Sequence, residues 1–406
     1  MNSQEEMPCP LCKSLNVENI LNLNCGGFDG SALYQNAVVN ACVKCGHVYN
    51  QLSSQDVQGL IKYYNEEYAP LNMAAPDSVA DRPGSASPFS TRRYTQLFNL
   101  IKPFTNRESH ILDIGCAMGG FLDYLFHNGF RNLSGIDLTE KYIEHTSKQD
   151  RFTVKLGHAE SIPFSDNSFD CLIIDQVLEH LIEPIQAFKE ARRVLREGGY
   201  FCVAVPDASR YGKRYFFDFY WFIMREHIQH FDIEHMNLLA GEQGFELVGL
   251  SKSENPMMSA SMVLPNLNVV FKLTGKVIDH IEKKCLRLPS TIKKYIAEDY
   301  KRLSDKRKVI EKIRQSRKPI HAWGIGREFL YLYEEAGLKH CNIDDLIDTN
   351  PYKQVHLTVA GKPIRDPSVL KEASRESVLF ITAFAHEDAI RTALNDMEYR
   401  GDIISL

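Results

Sequence analysis

The run from His110 to Leu138, HILDIGCAMGGFLDYL followed further on by LSGIDL, constrains the chain more than any other segment. Ile111 to Ile114 reads as a buried strand, Gly115 to Gly119 as a glycine turn, the next residues as a helix, and LSGID as a second strand ending on Asp137. That order is the first βαβ unit of a doubly wound α/β fold, in which ligands sit beyond the carboxyl ends of the strands. Glycine spacing then discriminates between ligands. A dinucleotide fingerprint needs G-x-G-x-x-G, but Gly115 is followed by Cys116, Ala117 and Met118 before Gly119. Asp113 precedes the first glycine by two positions. A carboxylate there repels a pyrophosphate and suits a cationic amino-acid group.

A chain of 406 residues is longer than one core usually supports, so two or three domains are expected. Its 44% hydrophobic and 24% charged content is ordinary for a soluble globular protein. The sequence has no apolar run of about 18 residues, which argues against a membrane span. The polar, acidic start MNSQEEMPCPLC lacks the apolar core of a signal peptide. Ten cysteines, four of them in two C-x-x-C pairs, point to thiolates kept reduced in a cytoplasm.

Three blocks can be separated. Residues 1–70 carry the cysteine pairs, and the Pro- and Ser-rich residues 71–90 read as a loop or lid. Residues 91–252 alternate strands and helices as a parallel sheet requires, with strands at Ile111–Ile114, Leu133–Ile136, Phe152–Leu156, Cys171–Ile174, Gly199–Val205 and Phe245–Leu250. Residues 253–318 read as a helical connecting segment, and 319–406 as a second, Rossmann-like α/β unit. Lys272 to Lys318 holds 16 Lys or Arg against 6 Asp or Glu, although the whole chain carries −5. Such a block could face an anionic ligand or form a solvated helix surface. Ile292, Tyr295, Ile296, Tyr300 and Leu303 recur at helical spacing and suggest an apolar face opposite the charge.

Cys9-Pro-Leu-Cys12 and Cys42-Val-Lys-Cys45 are two knuckles separated by 29 residues, with Gly46 after the second. Four soft ligands in this arrangement make a closed tetrahedral Zn2+ site, which is structural rather than catalytic. Cys25 and His47 are nearby but are not nominated. The block lacks a basic excess, so it reads as a folding staple rather than a nucleic-acid reader.

The D-x-G-x-x-x-G run, followed by Asp137 24 residues after Asp113, resembles motifs I and II of class I S-adenosylmethionine-dependent methyltransferases. The resemblance extends through Gly157-His158-Ala159-Glu160 and the helix-to-strand turn Arg193 to Gly199. It implies that Asp113, Gly115, Cys116 and Gly119 wrap the methionine part of S-adenosylmethionine, and that Asp137 and Leu138 border the ribose. His158 and Ala159 would lie at the adenine, with His158 where the family usually has Asp. Asp175 and Gln176 would border the sulfonium.

An acceptor that is a weak nucleophile also needs a base, and histidine suits neutral pH. Val177-Leu178-Glu179-His180 and Arg225-Glu226-His227-Ile228-Gln229-His230 offer candidates, the second after an aromatic-rich insertion, Tyr211 to Phe222. Packing roles remain open for both. Over nearly its whole length the chain resembles the sugar-nucleotide C-methyltransferases of deoxysugar biosynthesis. These join a four-cysteine zinc domain, a methyltransferase domain and a Rossmann-like domain. Asp348-Thr349-Asn350-Pro351-Tyr352-Lys353-Gln354 and Gly361-Lys362-Pro363-Ile364 carry the carboxyl-terminal part of that resemblance. It implies His227 as the base beside a ketone, with Glu226 and His180 supporting the enolate oxygen, and Tyr64, Tyr68 and Lys353 toward the substrate. Met224 and His230 stand where the family has tyrosines, so the acceptor can differ from a 4-keto-6-deoxy sugar. The expected partner is a small molecule, a nucleotide-sugar, with no membrane or nucleic acid, and the protein acts as a monomer or homodimer. The alternatives are an O- or N-methyltransferase of a sugar or small metabolite, and a non-catalytic binding protein on the same scaffold.

Overall fold

The computed structural model describes residues 7–68, 70–71, 83–212, 223–257, 259–277 and 287–406. The chain begins with an antiparallel meander of β1 (Val17–Asn24), β2 (Asn36–Cys42) and β3 (Val48–Gln51). Helix Ser54–Lys62 follows, fixed at its start by a reciprocal capping box between Ser53 and Asp56. It runs on into a π-helical turn, Tyr63–Tyr68.

Helix Pro88–Ile101 is set by the Ser87 side chain, which accepts from the Ser90 amide, and by proline at its first position. Its buried Tyr94, Leu97 and Ile101 share one face. The central sheet then assembles from β4 (Ile111–Ile114), β5 (Leu133–Asp137), β6 (Thr153–Leu156), β7 (Phe169–Asp175) and β8 (Leu195–Pro206). All pair in parallel, with β4 between β5 and β7. Every residue of β4 is buried, its three apolar residues as expected of a strand covered on both faces and Asp113 as the one charged exception. Strand β9 (Gln229–His230) leaves this domain to pair with β3, making it the fourth strand of the first sheet.

Residues 253–273 correct the expected helical connector. They continue β10 (Phe245–Met257) and form β11 (Ser259–Leu273), which pairs antiparallel with both β10 and β8. The central sheet therefore has the order β10-β11-β8-β7-β4-β5-β6 and runs to Leu273 rather than to 252. Leu264, Leu267 and Val269 to Phe271 are all buried, so β11 shows no alternation that would mark a strand.

Helix Arg287–Ser316 carries most of the basic block, of which residues 278–286 lie outside the described set. It buries Leu288, Ile292, Tyr295, Leu303 and Ile310. Tyr300, expected on that apolar face, is instead 58% exposed. Several of its cations are met by acids: Lys293 reaches Glu18 at 2.7 Å and Arg314 reaches Glu311 at 2.7 Å. The last sheet comprises β12 (Ile320–Trp323), β13 (Ile343–Ile347), β14 (Thr358–Val359), β15 (Lys362–Arg365), β16 (Val378–Ile381) and β17 (Asp402–Ser405). It is parallel apart from the β14–β15 hairpin, as a Rossmann-like unit requires. The stretch expected as a lid lies outside the described residues at 72–82, as does the aromatic insertion at 213–222. Among the described residues, no helix is long and apolar enough to cross a membrane.

Candidate active site and cysteine cluster

Strand order reverses around β4, and the carboxyl ends of β4, β5 and β7 present Asp113, Asp137 and Asp175 there. The glycine turn works by close approach. Gly115 has φ +81°, and a Cβ there would lie 2.4 Å from Cγ2 of Val177. Gly119 has φ +80°, and a Cβ would lie 2.6 Å from Cγ2 of Thr146. The Gly115 and Cys116 amides both donate to the Ile136 carbonyl, at 2.8 and 2.9 Å. Asp137 is oriented by two amides, Ala117 at 3.0 Å and Thr139 at 2.9 Å, one to each oxygen. Each oxygen keeps a lone pair, so a vicinal diol could still be held by both.

Burial pushes the Asp113 carboxyl up to about 8, and Asp175 and Asp137 add to the shift against the opposing pull of Arg93. Burial also raises Asp175, although Arg93 holds it through an Nε–Oδ2 ion pair of 2.9 Å. Crowded carboxylates of this kind favour a cationic ligand, which relieves the repulsion among them. Gln176 takes a left-handed φ of +56° and donates its amide to Ala204 at 2.8 Å. Leu138 is half-buried beside Asp137, and Ala159 is buried. His158, expected at an adenine ring, is exposed, and its backbone bridges to Ser161.

A cationic ligand needs Asp113 ionised, so its affinity should rise with pH up to about 8 and then level off. Calorimetry with S-adenosylmethionine between pH 6 and 9, in buffers of different ionisation enthalpy, would show proton release on the acid side. A flat profile would remove Asp113 from the site. The pH limits are roughly one to two units either side of that midpoint.

The acceptor candidates converge. The His180 and His227 rings lie 4.9 Å apart, edge to face. His180 Nδ1 donates to the Glu226 carbonyl at 2.7 Å, with the Tyr64 hydroxyl at 3.1 Å from the same nitrogen. Burial lowers the His180 pKa, outweighing the favourable pull of Glu226, so the ring stays neutral at neutral pH. Its proton is on Nδ1, and Nε2 is therefore an acceptor.

Glu226 is buried, which opposes its ionisation. Arg327 and Arg225 outweigh that cost and hold it below the usual carboxylate range. Tyr63 donates to Oε1 of Glu226 at 3.3 Å. Neither an ionised Glu226 nor an Nδ1-protonated His180 can donate to an enolate oxygen, which corrects the role expected of them. Tyr64 can: burial raises its pKa well above the usual value, so it keeps its proton. Tyr68 packs on Tyr64, with ring centroids 5.2 Å apart.

Lys353 is not free for substrate as expected. Its Nζ is engaged by Asp348 at 2.7 Å and by the Ile325 carbonyl at 2.8 Å. Arg327, at the start of helix Arg327–Glu335, is the carboxyl-terminal cation whose charge reaches Glu226. Arg93, Arg327 and Tyr63 were missed by motif reading. The glycine turn Gly324–Gly326 just before Arg327 was the one usable signal, since it aims a helix start at a ligand side.

Cys9, Cys12, Cys42 and Cys45 gather with all sulfurs within 4.8 Å of one another. Cys9–Cys45 and Cys12–Cys42 are 3.7 and 3.4 Å apart. A tetrahedron of bonds near 2.3 Å places sulfurs about 3.8 Å apart, so the donor set fits zinc. Gly46, at φ +84°, donates its amide to the Cys42 carbonyl at 2.9 Å and closes the second knuckle. Cys25 and His47 lie outside the cluster, as expected. The nine described cysteines are free thiols.

Residues 112–203 match the family model of a methyltransferase domain. A 37.1 kDa transposon-encoded protein of Streptomyces fradiae is 33% identical over 140 residues, covering 33% of this chain and 40% of that protein. A probable S-adenosylmethionine-dependent methyltransferase of Mycolicibacterium smegmatis is 34% identical over 98 residues, covering 24% of this chain and 38% of its own length. The chain thus spans less than half the length of these curated relatives. The solved structure of a methyltransferase from Methanosarcina mazei aligns with a TM-score of 0.36 at 22% identity, covering 44% of this chain and 97% of that one. The segment that matches the methyltransferase-domain model, residues 112–203, runs from β4 to β8 of the seven-stranded sheet and includes the glycine turn and the three strand-end carboxylates.

Proposed function

We propose that the protein uses S-adenosylmethionine to C-methylate a keto-sugar nucleotide. The observation that carries this reading is the pairing of half-buried His180 with buried His227, set next to phenols after the strand ends that hold the three carboxylates. In this reading Asp113 binds the ammonium group of the donor, Asp137 its ribose hydroxyls, and Asp175 and Gln176 flank the sulfonium. His227 takes the proton from the carbon beside the ketone. The enolate carbon then attacks the methyl carbon, the S–CH3 bond breaks toward sulfur, and S-adenosylhomocysteine leaves. The Tyr64 hydroxyl donates to the enolate oxygen, where charge develops. Arg327 supplies positive charge suited to a diphosphate-bearing acceptor. Zinc in the four-cysteine cluster would brace this arrangement without touching the reacting atoms.

The test uses a nucleoside-diphosphate 4-keto-6-deoxy sugar as acceptor. In D2O without the methyl donor, exchange of the hydrogen beside the ketone is expected. With the donor, NMR should show a methyl group on carbon. A new methyl on oxygen or nitrogen would replace this reading with the O- or N-methyltransferase alternative.

A further inference from the structure

Glu179 stands apart from the other groups of the site. It is 1% exposed, and neither carboxylate oxygen has a hydrogen-bond partner among the described residues. A buried carboxyl left this way is costly to ionise unless a cation meets it. Its donor oxygen and ring nitrogens of His180 and His227 lie within 4.8 Å of one another. Two imidazoles and one carboxylate form a donor set suited to zinc, iron, cobalt or nickel. His180 already shows the arrangement of a ligating histidine, with Nδ1–H held by the Glu226 carbonyl at 2.7 Å and Nε2 left as the lone-pair nitrogen. Tetrahedral bonds near 2.1 Å need donors about 3.4 Å apart, so closing the chelate takes side-chain rotations of about an ångström.

We propose that Glu179, His180 and His227 form a second divalent transition-metal site, separate from the cysteine cluster, and that an ion bound there inhibits methyl transfer. It inhibits because an imidazole that coordinates metal has no lone pair left to take a proton. This inhibition rests on the reading of His227 as the base; the metal site itself does not.

The experiment titrates Co2+ into the full-length protein with its cysteine cluster already filled with zinc. One further equivalent should bind, with visible d–d absorption and no sulfur-to-metal charge transfer. Glu179→Gln should lose that equivalent while keeping the cysteine-bound zinc and S-adenosylmethionine binding, which shows that it is folded. Turnover should fall as Co2+ occupancy rises and return when a mild chelator removes it. No second equivalent, or one that persists unchanged in Glu179→Gln, would overturn the site. Turnover rising with occupancy would leave the site standing and remove His227 as the base.

Discussion

Replacing His227 with alanine should lower turnover by about 10²–10⁴-fold, the range for losing a positioned general base. Affinity for S-adenosylmethionine should stay within about threefold, because Asp113, Gly115 and Asp137 lie on other elements. The His227 ring packs edge to face on His180, so the substitution also opens space beside the neutral imidazole of His180. Residual turnover should therefore depend on His180, and the double variant should be slower than either single one. Asn at 227 should not restore the rate, since an amide fills the space without a basic nitrogen. Unchanged turnover in the alanine variant would show that the proton leaves by another route, and Nε2 of His180 would be the next group to test.

Removal of the zinc proposed for the cysteine cluster should have a comparably large effect by a different route. Structural zinc supplies roughly 10–16 kcal/mol to zinc-finger peptides, and even a part of that exceeds what one small sheet can lose. The second knuckle leads straight into β3, whose Val48 and Tyr49 pair with His230 and Gln229. Further ties join the same regions: His235 Nε2 donates to the Cys45 carbonyl at 3.1 Å, and His47 Nε2 pairs with Gln229 at 2.8 Å. The Asn50 amide donates to Ile228 at 2.8 Å. Chelation, or Cys42→Ser, should lower the melting midpoint by roughly ten degrees and abolish turnover while S-adenosylmethionine still binds. A chelated protein that keeps its rate would show that the cluster is dispensable for placing His227.

The central sheet was largely legible because local rules set it. Ile111–Ile114 was read to the residue, since a mostly apolar segment bounded by the Gly115 turn leaves little freedom. The cysteine knuckles were equally plain, because ligand chemistry restricts spacing. The β10–β11 hairpin was not, for two physical reasons. Pro256 and Pro265 interrupt the pattern, and burial on both faces of β11 removes the period of two. In the site, motifs supplied the candidate residues, but Arg93, Tyr63 and Arg327 reach the same region through long-range contacts that no local spacing encodes. The roles of Glu226 and His180 also needed geometry. Only the bond from His180 to the Glu226 carbonyl fixes which nitrogen holds the proton, and only the two arginines explain an ionised Glu226 in a buried place.

The two-residue strand Gln229–His230 has a practical bearing on engineering. Cutting the chain into a stand-alone catalytic core, for instance residues 83–273, would strand its amides at an open edge and release the loop that precedes them. Under the proposed function, donor binding should survive such surgery while the placement of His227 at the acceptor is lost. Exchanging the amino-terminal module while keeping this core should therefore, on the same reading, change acceptor choice, which a product survey across acceptors would check.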